Sequence, residues 1–484
     1  MNFWPAHAAE TVTRDGRRVY QDQPETLPAL IERAVVQHAA APAAAGIGDR
    51  ALTYEQLWEE TERVAATLQR RHGVEPGDKV AFLAANCLDL LVGVIATWRA
   101  GGIAVMLSAK YTAVELEREL ACCSPRVVLA QPELLSKTTR GTHVLGEVSD
   151  GRFEPTTLRA DDPALLMFTS GTTGGSKGVL QSHLNLVSAA ETWVRCLNLQ
   201  PGDTTVVAAP MHHATGLNGQ SLPALATGGT VAIMPRFDAA ALVDLLAAGA
   251  ASFFHAAPTI YTLALRAARD RRARGLRVSV SGGSFVSRAL VDRARAFAPG
   301  VDFRISYGMT ETSSPAVLTP PGWIDARPGN AVGIAVPVDD VRVAEDGEIL
   351  FRGATVITGS EWLRSGDLGT IDDQGFVTVL DRIKDVINRG GEKIASLEVE
   401  DVLCAHPGVV ETAVVGMHDD VYGEVPYAFV IGDVSADALR TFANERLAKF
   451  KIPVEFVFVD QLPRNASGKV IKSELRGATS AWRG

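Results

Sequence analysis

Two hydrophobic periods run along this chain, and the second replaces the first near residue 330. From about residue 50 to residue 310, short apolar runs alternate with longer segments whose apolar residues recur every three or four positions. LTYEQLWEETERVAATLQRRHG shows the helical kind. Leu57, Val64 and Leu68 share one face, Thr53 and Gln56 have capping-box spacing, and Gly73 ends the run. KVAFLA (Lys79 to Ala84) reads as a buried strand. A helix to about Ala100, the pair Gly101–Gly102 and the strand IAVML then complete a βαβ unit. TAVELERELACC with RVVLA, AALVDLLAAG with ASFFHA, and SRALVDRARAFA with VDFRISYG repeat the order. This alternation predicts layered α/β structure with mostly parallel sheets.

After Gly329 the pattern shortens. DVRVAEDGEILFRG and GFVTVLDRIKDVI are short alternating strands with Asp-Gly and Gly turns, which predicts a small barrel-like β region. From Asp385 the order is helix, strand, strand, helix, strand: LEVEDVLCAH, VVETAVVGMHD, VPYAFVIG, ADALRTFANERLAKF and VEFVFVD. The expected organisation is a large N-terminal domain over residues 1–380, a hinge at 381–385 in DRIKD, and a small mobile α+β domain over 386–484. No internal repeat is present.

Composition narrows the class. Of 484 residues, 46% are hydrophobic and 21% charged, as expected for a globular chain with large cores. The net charge of −9 disfavours nucleic acid or an anionic membrane as a bulk partner. The five cysteines have no regular spacing, so they read as reduced packing thiols. MNFWPAHAAETVTRDGRR lacks the basic start and apolar run of a signal peptide. LDLLVGVIATWRAGGIAVML is broken by Asp89, Arg99 and two glycines, and reads as helix, stop and strand rather than as a membrane span. A soluble cytoplasmic protein is expected; the oligomeric state is open.

The candidate chemistry begins at FTSGTTGGSKG, Phe168 to Gly178. It fails the Walker A pattern, because Ser176 and Gly178 stand where Gly and Ser/Thr belong. Its parts nonetheless suit phosphate: glycines let N–H groups converge on an anion, hydroxyls donate and Lys177 adds charge. The alternative is a plain Gly/Ser/Thr linker, opposed by the strand-like PALLMF before it and VLQSH after it.

SGTTGGSKG resembles the phosphate-binding signature of the adenylate-forming superfamily, which comprises acyl-CoA synthetases, adenylation domains and luciferases; Ser176 replaces the usual Pro. Further segments resemble that family in its order: PMHHATGL, SVSGGS, SYGMTE, RSGDLG, DRIKDVINRGGEKIASLEVE and PRNASGKVIKSELR. The resemblance runs from about residue 25 to residue 476 and is nearest to the acyl-CoA synthetases.

The resemblance implies ATP-dependent activation of a carboxylic acid to an acyl-adenylate, then transfer to a thiol. It implies ATP, Mg²⁺ and coenzyme A as cofactors, and a small carboxylic acid as substrate. Thr169, Ser170, Gly171, Thr172, Thr173 and Lys177 would hold the β and γ phosphates, and Glu311 would ligate Mg²⁺. Thr310 would donate to the α-phosphate, Tyr307 would face adenine, and Asp367 and Arg382 would hold the ribose. Gly282, Gly283, Ser284, Gly308 and Met309 would border adenine and the acyl pocket, with His213 at the position of the P-x-x-H segment. Lys469 would bridge the carboxylate and α-phosphate, a positioned charge of the oxyanion-hole type. Lys384 would be the hinge residue, and Gly390 and Gly391 would line the thiol tunnel between Arg389 and Lys393.

Each residue also has an ordinary reading. Lys469 could be a loop lysine, Glu311 a helix-start carboxylate, Asp367 a turn residue and Tyr307 a core aromatic. His212 and His213, read as part of a strand, would point to opposite faces. An acid pocket of His212, His213, Gly283, Ser284, Gly308, Met309, Ser313 and Ser314 would hold a small, aromatic or medium acid. The chain departs from the family where ATVITGSEWL is shorter than the usual segment, and where Ser396 replaces a Pro. The alternatives are loading of a carrier protein or another nucleophile, adenylation of an unusual acid, and a non-catalytic nucleotide-binding protein.

Overall fold

The computed structural model of the chain describes residues 3–138, 141–148, 151–170, 176–327, 330–464 and 469–477. Two sheets dominate it. A six-stranded sheet runs in the order Ser176–Ser182, Pro163–Ser170, Ile103–Ser108, Lys79–Ala84, Val127–Ala130, Thr142–Val144, and only its first pair is antiparallel. A nine-stranded sheet is centred on Asp302–Tyr307, Val278–Gly282, Phe253–Ala256, Thr204–Val207, Thr230–Ile233 and Pro42–Gly46, all parallel, with antiparallel strands at both edges. The expected strand–helix alternation is therefore present as mostly parallel layers.

The helices between the sheets explain the runs they come from. The helix Tyr54–Arg70 begins in the expected capping box of Thr53 and Gln56, and it buries Leu57, Val64 and Leu68. Leu88–Arg99 is apolar on all sides because both sheets enclose it, and Asp89 is its one residue outside the core. Its Trp98 Nε1 donates to the Ala164 carbonyl at 2.8 Å, and Arg99 stacks over Trp58 at 3.7 Å. Among the described residues no helix is long and apolar enough to cross a membrane.

Beyond these layers, Asp339–Val343, Glu348–Gly353, Leu363–Ile371 and Val377–Arg382 form a four-stranded antiparallel sheet. A five-stranded sheet follows, built on the long hairpin Val409–Asp419 and Gly423–Gly432, with Ile387–Arg389, Glu392–Ile394 and Glu455–Phe458 added. The helices Ser396–Cys404 and Ala436–Asn444 cover one face of it.

Three local features differ from the sequence reading. Residues 210–216 form turns rather than a strand, with the His213 and Gly216 N–H groups bonding back to Pro210 and His213 carbonyls. The helix expected over 436–450 stops at Asn444, because the chain turns there to pack Leu447 and Phe450 on the same core as Leu439. A hairpin of Thr11–Arg14 and Arg17–Tyr20 opens the fold on a two-residue turn, Asp15 at φ 48° and Gly16 at φ 75°.

Candidate active site

The carboxyl ends of the parallel strands place the first groups. Val278–Gly282 and Asp302–Tyr307 run side by side with Gly282 opposite Ser306, so Gly282–Ser284 and Tyr307–Glu311 emerge together. Gly282 is a glycine of necessity: a Cβ there would lie 2.1 Å from Ser306 Oγ and 2.5 Å from the Ser306 carbonyl oxygen. Gly308 is crowded in the same way, with Thr312 Oγ1 at 2.7 Å from the site of a Cβ. Gly283 and Ser284 are exposed at the mouth.

Tyr307 links the large sheet to the four-stranded one. Its ring sits 5.5 Å from Phe351, and its hydroxyl donates to Asp367 Oδ2 at 2.9 Å. Burial, then the Asp367 carboxylate, push the phenol far up, so it stays a donor. Asp367 pairs in register with Arg382, whose Nε lies 3.1 Å from Oδ1. Oδ1 is buried yet accepts no aligned hydrogen bond, which leaves acceptor capacity for a hydroxyl group.

The turn Thr310–Thr312 is fixed from below by buried amides. Gln181 donates to the Thr310 carbonyl at 2.8 Å. Asn218 donates to Gln181 Oε1 at 3.1 Å and to the Ser313 carbonyl at 3.3 Å. Ser313 and Ser314 both take left-handed conformations, φ 49° and 48°, and Trp193 donates to the Ser314 carbonyl at 3.1 Å. The short segment after Gly353 is tied to the same turn: the Ile357 N–H donates to the Glu311 carbonyl at 3.0 Å. The Glu311 side chain is half-buried and belongs to no ion pair among the described residues. Met309 packs partly against the cluster of Val317 and Phe351.

His212 and His213 lie side by side in their turn, ring centroids 4.3 Å apart, which corrects the opposite-face expectation. Burial, then the charges of His213 and Lys110, hold His212 well below its ordinary value. His255 is fully buried beside the Gly219 carbonyl and against Trp193 at 4.8 Å, and burial lowers it to about 4. Both imidazoles are therefore neutral at pH 7.

The phosphate-loop candidates lie on and between two strands. Thr169 pairs with Lys177 across the hairpin, its hydroxyl donating to the Lys177 carbonyl at 3.4 Å, and Lys177 is exposed. Ser170 stands opposite Ser176 in the same register. Gly171, Thr172 and Thr173 lie outside the described residues.

Lys469 arrives from the other end of the chain. It is half-buried, and desolvation lowers its ammonium to about 8, aided by Arg382 and Lys384 and opposed by Asp367 and Asp385. Lys469 thus lies within electrostatic reach of the carboxylate that Tyr307 addresses. Lys384 is exposed between Arg382 and Asp385, which pairs with Arg476 at 2.7 Å. Gly390 and Gly391 form the tip of the hairpin Ile387–Arg389 and Glu392–Ile394, at φ 59° and 99°, with the Gly390 N–H donating to the Tyr422 carbonyl at 2.7 Å. Arg389 is engaged there too, stacking on Tyr422 and donating to the Phe450 carbonyl at 2.8 Å.

Gln181, Asn218, Trp193 and His255 are positioning groups that sequence reading passed over. None belongs to a recognisable motif, and only tertiary contact reveals its partners. Among the described residues there is no cluster of three or more metal-binding side chains.

Residues 31–360 match the AMP-binding enzyme family, and residues 398–469 match the AMP-binding enzyme C-terminal domain. A 2-succinylbenzoate–CoA ligase of Bacillus licheniformis is 32% identical over 460 residues, covering 88% of this chain and 95% of that protein. A feruloyl-CoA synthase of an Amycolatopsis species is 34% identical over 476 residues, covering 89% and 94%. The o-succinylbenzoate coenzyme A synthetase of Bacillus subtilis, solved with ATP and a magnesium ion, superposes with a TM-score of 0.81 at 30% identity, covering 92% of this chain and 98% of that one.

Proposed function

The chain belongs to the AMP-binding enzyme family, and from that premise we propose which of its groups perform which part of the reaction. It is an AMP-forming acyl-CoA ligase. It uses ATP to convert a carboxylic acid to an acyl-adenylate with release of pyrophosphate, and passes the acyl group to coenzyme A.

The site fits its reactants. Asp367 Oδ1 is a buried acceptor with spare capacity, suited to the ribose hydroxyls, and Arg382 stands beside it to donate to the same sugar. Tyr307 would face adenine, bordered by Gly282, Gly283, Ser284, Gly308 and Met309. Glu311, a carboxylate in no ion pair among the described residues, suits Mg²⁺, which takes one or two carboxylates plus phosphate oxygens rather than an all-protein cage. When bound, that ion neutralises phosphate charge and orients the leaving pyrophosphate. Residues 169–173 with Lys177 would hold the β and γ phosphates, and Thr310 would donate to the α-phosphate.

One observation carries the division of labour: Lys469 comes from the end of the chain to lie in the field of Asp367 and Arg382. There its ammonium would stabilise charge between the acid's carboxylate and the α-phosphate as the C–O–P linkage forms. We assign residues 1–380 to a large domain, 381–385 to a hinge at Lys384 and 386–484 to a mobile domain. After adenylation that domain turns, Lys469 withdraws, and Gly390–Gly391 replace it at the thiol entrance. Water is held off while the acyl-adenylate waits. His213 with neutral His212, Ser313 and Ser314 would wall the acid pocket. We propose a small, aromatic or medium acid, which neutral His212 in that wall and the aromatic acids in the relatives' names support. The cytoplasm, where ATP and coenzyme A are at hand, is the proposed location.

Pyrophosphate exchange over a panel containing ferulate, 2-succinylbenzoate, malonate and palmitate tests the acid, with palmitate expected last. An acceptor panel of coenzyme A and a holo carrier protein tests the thiol. Lys469→Ala should lower exchange by about 10²–10³-fold and leave thiolysis of supplied acyl-AMP near the unmodified rate. Equal loss of both half-reactions would sink the proposed alternation.

A further inference from the structure

At the proposed hinge, a buried polar cluster joins the two sides of the chain. Asp381 lies on the strand Val377–Arg382, paired with Leu368 in the four-stranded sheet, and is 1% exposed. One of its oxygens accepts the Arg382 N–H at 2.7 Å, and the other accepts the N–H of Ser396. Ser396 opens the helix Ser396–Cys404, which packs on the five-stranded sheet, and is itself fully buried. Its hydroxyl accepts from Lys472 at 2.6 Å, and Lys472 also pairs with buried Glu400 at 2.6 Å. Glu400 accepts the Val414 N–H at 2.8 Å, which ties the cluster to the central hairpin of that sheet. Lys472 stands three residues beyond Lys469 on the same segment.

We propose that Asp381 is a latch: by holding the Ser396 N–H, with Lys472 bracing that serine from the other side, it keeps the C-terminal segment where Lys469 lies in the field of Asp367. This rests on the alternation proposed above. The loop closed by the latch is 382–395, which contains Lys384, so a turn at the hinge has to break the Asp381–Ser396 bond. A buried acceptor that loses its donor bears the full cost of its desolvation, so breaking the Asp381–Ser396 bond is unfavourable and the latch biases the arrangement toward adenylation. Asp381, Ser396 and Lys472 are positioning residues, since none of them touches a reactant.

Ser396 also explains why the resemblance departs from Pro here. Proline has no N–H to give, and so cannot engage Asp381. The same fact supplies a clean probe. Ser396 is the first residue of its helix, where proline is well tolerated, and Ala395 at φ −73° and ψ 117° already has the conformation a following proline requires. Ser396→Pro therefore deletes the latch and spares the helix, whereas Ser396→Ala keeps the N–H and deletes only the hydroxyl.

The test is hydrogen–deuterium exchange of the full-length chain followed by mass spectrometry. Ser396→Pro should raise exchange of residues 383–395 by about tenfold, the scale of one lost buried hydrogen bond. Ser396→Ala and Lys472→Arg should stay within about twofold of the unmodified protein, with residues 409–432 unchanged in all three. Equal behaviour of the Pro and Ala variants, or a rise spread through 409–432, would overturn the latch. Alternation itself is judged in the separate Lys469→Ala half-reactions, so the two ideas fail in different assays.

Discussion

An ammonium group set against phosphate oxygens works only while it is protonated, and Lys469 is held close to its limit. Desolvation, with Arg382 and Lys384 nearby, brings it from its ordinary range down to about 8. The sign is fixed: below pH 8 the group is mostly charged, and above it the neutral amine dominates. The kcat/KM for ATP in pyrophosphate exchange should therefore fall as pH rises through about 8, since that parameter reports the free enzyme. Thiolysis of supplied acyl-AMP should lack this descending limb. Lys469→Arg should be slower but flat across the same range, because a guanidinium does not titrate there. An alkaline limb of the same shape in both half-reactions would remove Lys469 from its assigned step. At this scale the sequence singles out candidates where a residue type carries chemistry in a fixed frame, as in SYGMTE and RSGDLG. It was unreadable where a common polar side chain fixes a neighbour. Nothing near Gln181 or Asn218 in the sequence says that their amides clamp the Thr310–Ser313 turn, because the partners are carbonyls that any residue could supply.

At the scale of elements, the strand pair that carries the site is held together by an absence of side chain. Gly282 faces Ser306 in a parallel register, and a methyl group there would meet both the hydroxyl and the carbonyl oxygen of Ser306. The backbone of a central strand cannot yield locally, so Gly282→Ala should push Asp302–Tyr307 outward and carry Tyr307 away from Asp367. We expect a loss of about 1–3 kcal/mol in urea unfolding and a larger proportional loss of ATP affinity by calorimetry. Unchanged ATP binding would show that the adenine side of the site does not depend on this register. Most elements were legible because pattern and caps agreed, as at Thr53, Thr112 and Ser287, whose side chains cap the helices they precede. The failures lie where tertiary packing overrides the local signal. His212 and His213 share a face because Pro210 and Gly216 fold their segment into turns. The helix from Ala436 ends early because Leu447 and Phe450 are worth more in the core than one more helical turn.

For the whole molecule, the distribution of apolar cores argues for two cooperative units rather than one. The clusters built on Ile387, Val414, Phe429 and Leu439 draw all their buried members from residues 387–475. The other clusters draw none from that region. Beyond the latch, polar contacts cross between the two sets. Arg464 reaches Thr259 at 2.9 Å while pairing with Glu411 at 2.6 Å, and Asn330 donates to Asp401 at 2.7 Å. Polar contacts of this kind orient a domain without merging its core with its neighbour's. Scanning calorimetry of the full-length chain should therefore resolve two transitions. A hydrolysis-resistant ATP analogue with Mg²⁺ at about 100 times its Kd adds about 2.7 kcal/mol to whichever unit holds it. Asp367, Tyr307 and Glu311 all belong to the larger set, so the transition of that unit should move up by a few degrees. The smaller transition should follow only as far as Lys469 is drawn to the nucleotide, and Lys469→Ala should leave it where it stands without ligand. A single transition that shifts as one body would mean that the polar contacts weld the chain into one unit, which would leave no independent domain to turn.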